Sequence, residues 1–330
     1  MSGMRFLDLS GYAFTGKHAV IDFMREVRGA HVEHFAFEFG LLRMQGGLHD
    51  LEHALCGDWS PVRSDAAVRR FRQLVTRLGV ANDWRRPSSL FQAVGWNYDR
   101  HYRGRFLPLS EEYISRLLTA TWRADWPYPL AAVGGCELFA RKVLSRLGVR
   151  RAMDFQMYLA RPAEFLPATR TYLEGVLTAN VAPETTTVVL HNAFEPFAPV
   201  RSLRFFADAR AIIIDRDPRD NYVQRLGDRS TGVDVEMFIQ RYRLNREATS
   251  PAVDPRVLRM KFEDLVLDYD ATRDLILAFL GEPAEAHVRP RQHFDPAVSR
   301  KNVGLYRKHA KPDEILRIER ELPEFCDDRV

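Results

Sequence analysis

Cysteine is scarce in this chain. Its 330 residues hold three, Cys56, Cys136 and Cys326, far apart and without a C-x-x-C pair. A disulfide framework is thereby excluded, and the three read as reduced thiols of a cytoplasmic protein. Long apolar runs are missing too. None approaches the ~20 residues that span a bilayer. The N-terminal stretch MSGMRFLDLSGY lacks the basic head, long apolar segment and small-residue cleavage site of a signal peptide. Internal repeats and low-complexity tracts are absent. Net charge is only +4, but it is unevenly spread. Between Arg289 and Lys311 stand Arg289, Arg291, Arg300, Lys301, Arg307, Lys308 and Lys311, against the single acid Asp295. Such a run is either a solvated basic face or a site for a polyanion. What remains, 46% hydrophobic and 28% charged, is ordinary for a soluble globular enzyme.

Three regions follow one another. RFLDL reads as a short apolar strand, SGYAFTGK as a glycine-bearing turn, and HAVIDFMREV as a helix with Ala19, Val20, Phe23, Met24 and Val27 on one face. From about Gly29 to Pro183 the sequence reads mainly as helices. DAAVRRFRQLVTRLG opens after Ser64 or Asp65 as a cap. SEEYISRLLTATW opens at Ser110 with acids in its first turn, and GCELFARKVLSRLG and AEFLPATRTYLEGVLTANV follow. All five tryptophans (Trp59, Trp84, Trp96, Trp122, Trp126) fall in this region. They read as core, or as the aromatic lining of an acceptor site.

The third region returns to strands. TTTVVLHN and ARAIIID are continuously apolar, as buried parallel strands are. RVLRMKFEDLV reads as a strand leading into a turn, YDATRDLILAFLG as a helix closed by Gly281, and KPDEILRIEREL as a last helix with Pro312 in its first turn. The expected fold is α/β: a central parallel sheet flanked by helices, built from residues 1–30 and 184–330. A large, mainly helical insertion (31–183) follows the first β-α unit.

The stretch GYAFTGKH (11–18) matches the triphosphate-loop pattern G-x-x-x-x-G-K-[ST] except at its last position, where His18 replaces a hydroxyl. A glycine-rich turn between strand and helix aims several N–H groups at one spot, where the helix dipole adds positive potential. Lys17 adds a mobile charge. Histidine cannot serve as the hard oxygen ligand of Mg²⁺. AIIID at 211–215 still imitates the strand-plus-Asp element that assists such a metal. These two motifs alone therefore leave a P-loop kinase with an atypical loop open.

The run AIIIDRDPRDNYVQ (211–224) resembles the 3′-phosphate-binding strand and helix of sulfotransferases that use 3′-phosphoadenosine 5′-phosphosulfate (PAPS). MKFEDLVLDYDATRDLILAFLG (260–281) is similar to that family's Y/F-E-D-L element and the helix after it. SRKNVGLYRKH (299–309) resembles its late nucleotide-closing loop. The resemblance covers roughly residues 5–28 and 185–322. It implies the P-loop-like sulfotransferase fold, PAPS as cosubstrate and no required metal, so that His18 is no defect.

Residue by residue, the resemblance places the 5′-phosphosulfate on Gly11, Tyr12, Phe14, Thr15, Gly16, Lys17, His18 and Ala19. It places the 3′-phosphate on Arg216, Gln224, Arg300, Lys301 and Gly304, with Arg219 structural or at the rim. Gln224 stands where the family commonly has a serine, and Phe14 where many members have a lysine, which leaves Lys17 as the nearest cation for catalysis. Two candidates compete for the general base. His191 ends a strand, as in cytosolic members; Glu38 occupies the context other members use, with Glu33 a poorer choice. His49 and Asp50 are weaker candidates for acceptor contacts. The acceptor implied is a small molecule or glycan carrying a hydroxyl or amine. Nucleic acid is not expected as a partner, though a noncatalytic polyanion binder using 289–311 is the rival from another class. No feature sets an oligomeric state.

Overall fold

Why the first strand forms is plain from its burial. In Arg5–Gly11 the five central residues, Phe6 to Ser10, are all buried, so strand β1 is enclosed on both faces. In the computed structural model, which describes residues 4–33, 37–83, 94–226 and 234–330, seven strands occur among the described residues. They are β1 (Arg5–Gly11), β2 (Ala30–Val32), β3 (Leu118–Ala124), β4 (Phe155–Ala160), β5 (Thr187–His191), β6 (Ala209–Asp215) and β7 (Val257–Lys261). The longer helices are α1 (Lys17–Met24), α2 (Pro61–Gly79), α3 (Phe106–Leu117), α4 (Gly135–Arg146), α5 (Phe165–Leu177), α6 (Pro218–Arg225), α7 (Val235–Glu247), α8 (Phe262–Leu267), α9 (Tyr269–Leu280) and α10 (Pro312–Glu321). None of the described helices is long and apolar enough to cross a membrane.

The chain divides into two units, residues 1–40 with 181–330, and residues 41–180. In the first, five strands form one parallel sheet in the order β2-β5-β1-β6-β7. This is the expected central parallel sheet. Leu7 and Leu9 alternate with Phe6 and Asp8, and the register sets Leu9 beside Ile212 and Gly11 beside Ile214. One face carries Leu7, Leu9, Ile212 and Ile214 against Val20, Phe23 and Met24 of α1 and Leu265, Ile276 and Leu280 of α8 and α9. A second cluster joins Tyr222 of α6, Phe238 and Tyr242 of α7, and Ile315 and Ile318 of α10. Truncating a fully buried leucine such as Leu9 to alanine removes about 2–5 kcal/mol. The opening β-α unit and the strands β5 and β6 thus fall where apolar periodicity puts them. RVLRMKFEDLV differs: its strand runs directly into the helix α8 rather than into a turn, with the Lys261 amide donating 2.8 Å to Asp264 Oδ2.

The second unit is helical with one exception. Strands β3 and β4 pair antiparallel, so SEEYISRLLTATW is not one helix. Its helix begins earlier, at Phe106, and ends at Leu117. Ser110 lies inside it, back-bonding to the Phe106 carbonyl at 2.7 Å and meeting the Tyr172 hydroxyl at 2.7 Å. Likewise α2 is capped by Ser60, whose hydroxyl accepts from the Arg63 amide at 3.2 Å with Pro61 first in the helix, not by Ser64 or Asp65. Those two are buried instead against β4: Ser64 exchanges hydrogen bonds with Ala160, and Asp65 accepts the Tyr158 amide at 3.0 Å. Trp84 lies outside the described residues.

Candidate functional site

In open parallel sheets, ligands settle at the carboxyl ends of the strands. At the end of β1 the loop 12–16 turns through three left-handed residues, Ala13, Phe14 and Gly16. Side chains of α6 and its approach hold its carbonyls. Arg225 donates 3.0 Å to the Tyr12 carbonyl, Asn221 3.0 Å to that of Ala13, and Arg216 3.4 Å to that of Phe14. Because a trans peptide sets its N–H opposite its C=O, the amides of residues 13–15 point away from α6. Helix α1 then starts at Lys17, so its positive N-terminal end opens at the same place. Gly16 is required here: its φ is +79°, and a Cβ would come within 2.5 Å of the Phe262 ring. Thr15 Oγ1 is buried and has no hydrogen-bond partner among the described residues. The result is an anion cradle with a spare hydroxyl.

Arg216 follows β6 and is 2% exposed. Its guanidinium lies 5.0 Å over the Phe262 ring, donates 2.5 Å to the Asn302 carbonyl, and contacts Gln224 Oε1. Its Nε is buried without a partner, and among the described residues no carboxylate lies at ion-pair distance from it. Burial pulls its pKa down, opposed by the charges of Asp220, Glu263 and Asp217. A buried guanidinium in that condition is costly unless an anion meets it. Beside it opens a cavity of about 580 Å³, lined by Gly16, His18, Ala19, Asp22, Arg216, Gln224, Phe262 and the segment Arg291–Asp295, with Val298, Ser299 and Asn302. That volume suits a nucleotide-sized ligand.

The wall segment is fixed from below. Glu26, fully buried, accepts the amides of His293 at 2.7 Å, Phe294 at 2.8 Å and Arg291 at 3.2 Å, and lies 2.7 Å from His287 Nε2. Burial raises its pKa, but these hydrogen bonds outweigh it and leave the carboxyl below its ordinary value. Asp220 of α6 does the same for the late loop, accepting the amides of Gly304 at 2.7 Å and Tyr306 at 3.1 Å. Gly304 adopts φ +78°, and its N–H is committed to Asp220. Arg300 and Lys301 are exposed and do not line the cavity, whereas their neighbours Ser299 and Asn302 do.

On the other side of β1, Lys17 Nζ lies 2.6 Å from Glu38 Oε1, and Asn192 Nδ2 donates to the same oxygen. The end of β5 clamps this segment: the His191 carbonyl accepts the Phe39 amide at 3.1 Å, and the Asn192 amide reaches the Leu9 carbonyl at 3.0 Å. His191 itself is 1% exposed, so its ring sits inside while the next residue, Asn192, meets Glu38. Asp8, fully buried, anchors the same turn by accepting the Ala193 amide at 2.8 Å and the Ser10 hydroxyl at 2.5 Å. Burial pushes its pKa up to about 7.

The other sequence candidates scatter. The Tyr12 side chain turns to a different cavity, about 690 Å³, where its hydroxyl meets Thr249 at 2.8 Å and Arg259 at 3.1 Å. There Arg246, Lys261 and Arg329 are each ion-paired to aspartates, so those three charges are already compensated. The Phe14 ring lies 5.4 Å from the Arg225 guanidinium. Arg219 is locked to Asp217 and Glu319. Glu33 is buried 3.6 Å from His31, and Asp50 accepts the Gly46 amide at 2.7 Å within its own unit. Sequence reading missed Asn192, Asp8 and Glu26. Only Asn192, adjacent to His191, offered any local signal.

No protein-family model matches the chain, and no curated protein matches it. Solved structures it is similar to include sulfotransferases. The sulfotransferase domain of the Synechococcus PCC 7002 olefin synthase is 14% identical with a TM-score of 0.40, over 96% of this chain and 93% of that one. A sulfotransferase of Mycobacterium avium is 14% identical with a TM-score of 0.38, over 98% and 76%. Retinol dehydratase, solved with androsterone and the inactive cofactor PAP, is 12% identical with a TM-score of 0.37, over 99% and 82%.

Proposed function

We propose that this protein is a PAPS-dependent sulfotransferase that moves a sulfuryl group to a hydroxyl or amine of a saccharide or other small acceptor, leaving adenosine 3′,5′-bisphosphate. The observation that carries the reading is Arg216: a buried guanidinium with an unpartnered Nε, at a cavity wall that also includes the start of α1. Guanidinium suits a phosphate dianion. The cradle of residues 12–19, with its spare Thr15 hydroxyl, suits the 5′ end of the same cosubstrate.

PAPS supplies an activated sulfuryl group on a phosphate leaving group. The protein's own residues then have three tasks. Glu38, held by Asn192, takes the acceptor's proton at its carboxylate. Lys17 sets positive charge where negative charge develops on the departing phosphate oxygen. Arg216 with Gln224 fixes the 3′-phosphate. Glu38 is preferred over His191 because it is part-exposed beside Lys17, whereas the His191 ring is enclosed. Against the kinase reading stands Asp215. Both its carboxylate oxygens are engaged by Arg246, and one also accepts the Arg216 amide at 2.8 Å. The free thiols at Cys56 and Cys136, both exposed, suit a reducing compartment such as the cytoplasm.

The test is labelled-sulfate transfer from PAPS to a panel of saccharides, lipids and phenols, alongside calorimetry with the bisphosphate in chelator-treated buffer. Uptake of the bisphosphate without divalent metal, together with transfer to one acceptor class, is expected. Binding of ATP only with Mg²⁺ would return the kinase reading. Tight, salt-sensitive binding of long polyanions that the bisphosphate fails to displace would point to a binder instead.

A further inference from the structure

Helix α4 is built the wrong way out for a helix that belongs to its own core. None of its residues is buried. Its only half-buried residues, Leu138 and Arg141, mark the side turned to the protein. Arg141 donates to the carbonyls of Ala152 at 3.0 Å and Asp154 at 3.3 Å, lies 4.1 Å over the Phe155 ring, and pairs with Glu137 at 2.8 Å. At 100° per residue, Phe139, Val143 and Leu147 fall on the half of the helix opposite Arg141, while Leu144 lies about 60° from Arg141, beside Glu137. Phe139, Val143 and Leu147 are 69%, 37% and 74% exposed, so the apolar stripe looks outward. A surface helix of a folded domain ordinarily does the reverse.

The surroundings of the stripe say what covers it. Lys142, Arg146 and Arg150 are exposed and carry no ion pair among the described residues. Lys142 and Arg146 border the stripe on its Phe139 side, and Arg150 follows just beyond the helix end. The one acid in Gly135–Arg146, Glu137, is spent on Arg141. Tyr128, in the turn before the helix, is 57% exposed. A second copy of this chain is a poor occupant. The 12-residue helix is only about 18 Å long, and one side of it falls well short of the ~800 Å² per partner of a stable interface. Pairing would also set three unpaired cations against three more. Apolar residues in the middle, cations at the border and an aromatic beside them are the features of a helix that lies in a lipid headgroup layer.

We propose that α4 is an interfacial anchor: its outward apolar stripe, bordered by Lys142, Arg146 and Arg150, lies on an anionic phospholipid surface without crossing it. The proposal does not depend on the sulfotransferase reading, since none of these residues lines the nucleotide cavity.

The experiment is co-sedimentation of the full chain with vesicles of phosphatidylcholine alone or with 30% phosphatidylglycerol. Sedimentation velocity is run in parallel without lipid. At least tenfold stronger binding to the anionic vesicles is expected. Phe139→Asp with Leu147→Asp should lose that binding at least tenfold. Lys142→Glu, Arg146→Glu and Arg150→Glu together should abolish the preference for anionic lipid. All these sites are exposed, and an unchanged melting curve checks each fold; the charge-reversal set stands alone if the apolar set misfolds. No binding to anionic vesicles, equal binding to both kinds, or variants that bind like the parent would each overturn the proposal. A dimer that Phe139→Asp dissociates would overturn it in favour of self-association.

Discussion

Lys17 and Glu38, 21 residues apart in the chain, form a 2.6 Å ion pair at the carboxyl edge of β1. Glu38 is 42% exposed, so the pair contributes only about 0–1 kcal/mol to stability. Its removal is therefore a test of chemistry rather than of folding. Glu38→Gln should slow sulfuryl transfer by about 10²–10⁴-fold, and Lys17→Ala by about 10²–10³-fold, with melting temperatures near the parent's. Affinity for the bisphosphate should hold in Glu38→Gln. His191→Ala with a loss as large as Glu38→Gln would reverse the choice of base.

Arg216 should separate the two phosphates of the ligand. Arg216→Lys keeps the charge but loses the fork. Affinity for adenosine 3′,5′-bisphosphate should drop about tenfold or more, the equivalent of ~1.4 kcal/mol. Affinity for adenosine 5′-monophosphate should stay within about twofold. Equal losses for both ligands in titration calorimetry would mean that Arg216 supports the loop at Phe14 and nothing else.

Glu26 holds the cavity wall through three amides and His287, so Glu26→Gln puts an N–H₂ group where an acceptor is needed. A lost buried acceptor costs about 1–3 kcal/mol. The Michaelis constant for PAPS should rise several-fold while turnover at saturation changes little. Turnover falling alone would place Glu26 elsewhere in the mechanism.

Asp8 makes stability depend on pH. Its folded pKa, about 7, stands above the ordinary 3.8, so the folded protein holds this proton more tightly than the unfolded chain. Its stabilising effect is full below pH about 4 and is lost as pH climbs through about 7. Glu263, also pushed up to about 7 by burial, acts with the same sign. Asp8→Asn should therefore flatten the fall in melting temperature between pH 5 and 8, with its largest relative gain at pH 8. A slope identical to the parent's would show that Asp8 keeps its charge throughout.

Much of the frame was legible because it is local. β1, β5 and β6 are short apolar runs bounded by turn residues, and such runs too short for a helix have few other homes. The ribbon β3–β4 was not legible. Five of the seven residues of β3 are exposed, so it lacks an alternating face, and LTATWRA follows a helix without a stop signal. Ser110 misled for a related reason: S-E-E has cap chemistry, yet its hydroxyl serves Tyr172, 62 residues on. In the site, Arg216 and Gln224 are set by a strand end and two turns of one helix, so short spacing sufficed. Arg300 and Lys301 look equivalent to Asn302 in sequence, but their short helical turn presents only Ser299 and Asn302 to the cavity. The roles of Glu26 and Asn192 depend on partners more than 150 residues away, beyond any local pattern.

Helix α6 has only eight residues, yet Asn221 and Arg225 hold the loop 12–16 and Asp220 holds the segment 304–306, while Arg216, just ahead of it, touches both loops. The two loops, the jaws of the candidate site, thus hang from one short axle. Opening either one by itself means breaking bonds to the axle, so the jaws should loosen together. In deuterium-uptake measurements the amides of Ala13–Gly16 and Gly304–Tyr306 should exchange at a common rate and slow in unison when the bisphosphate is added.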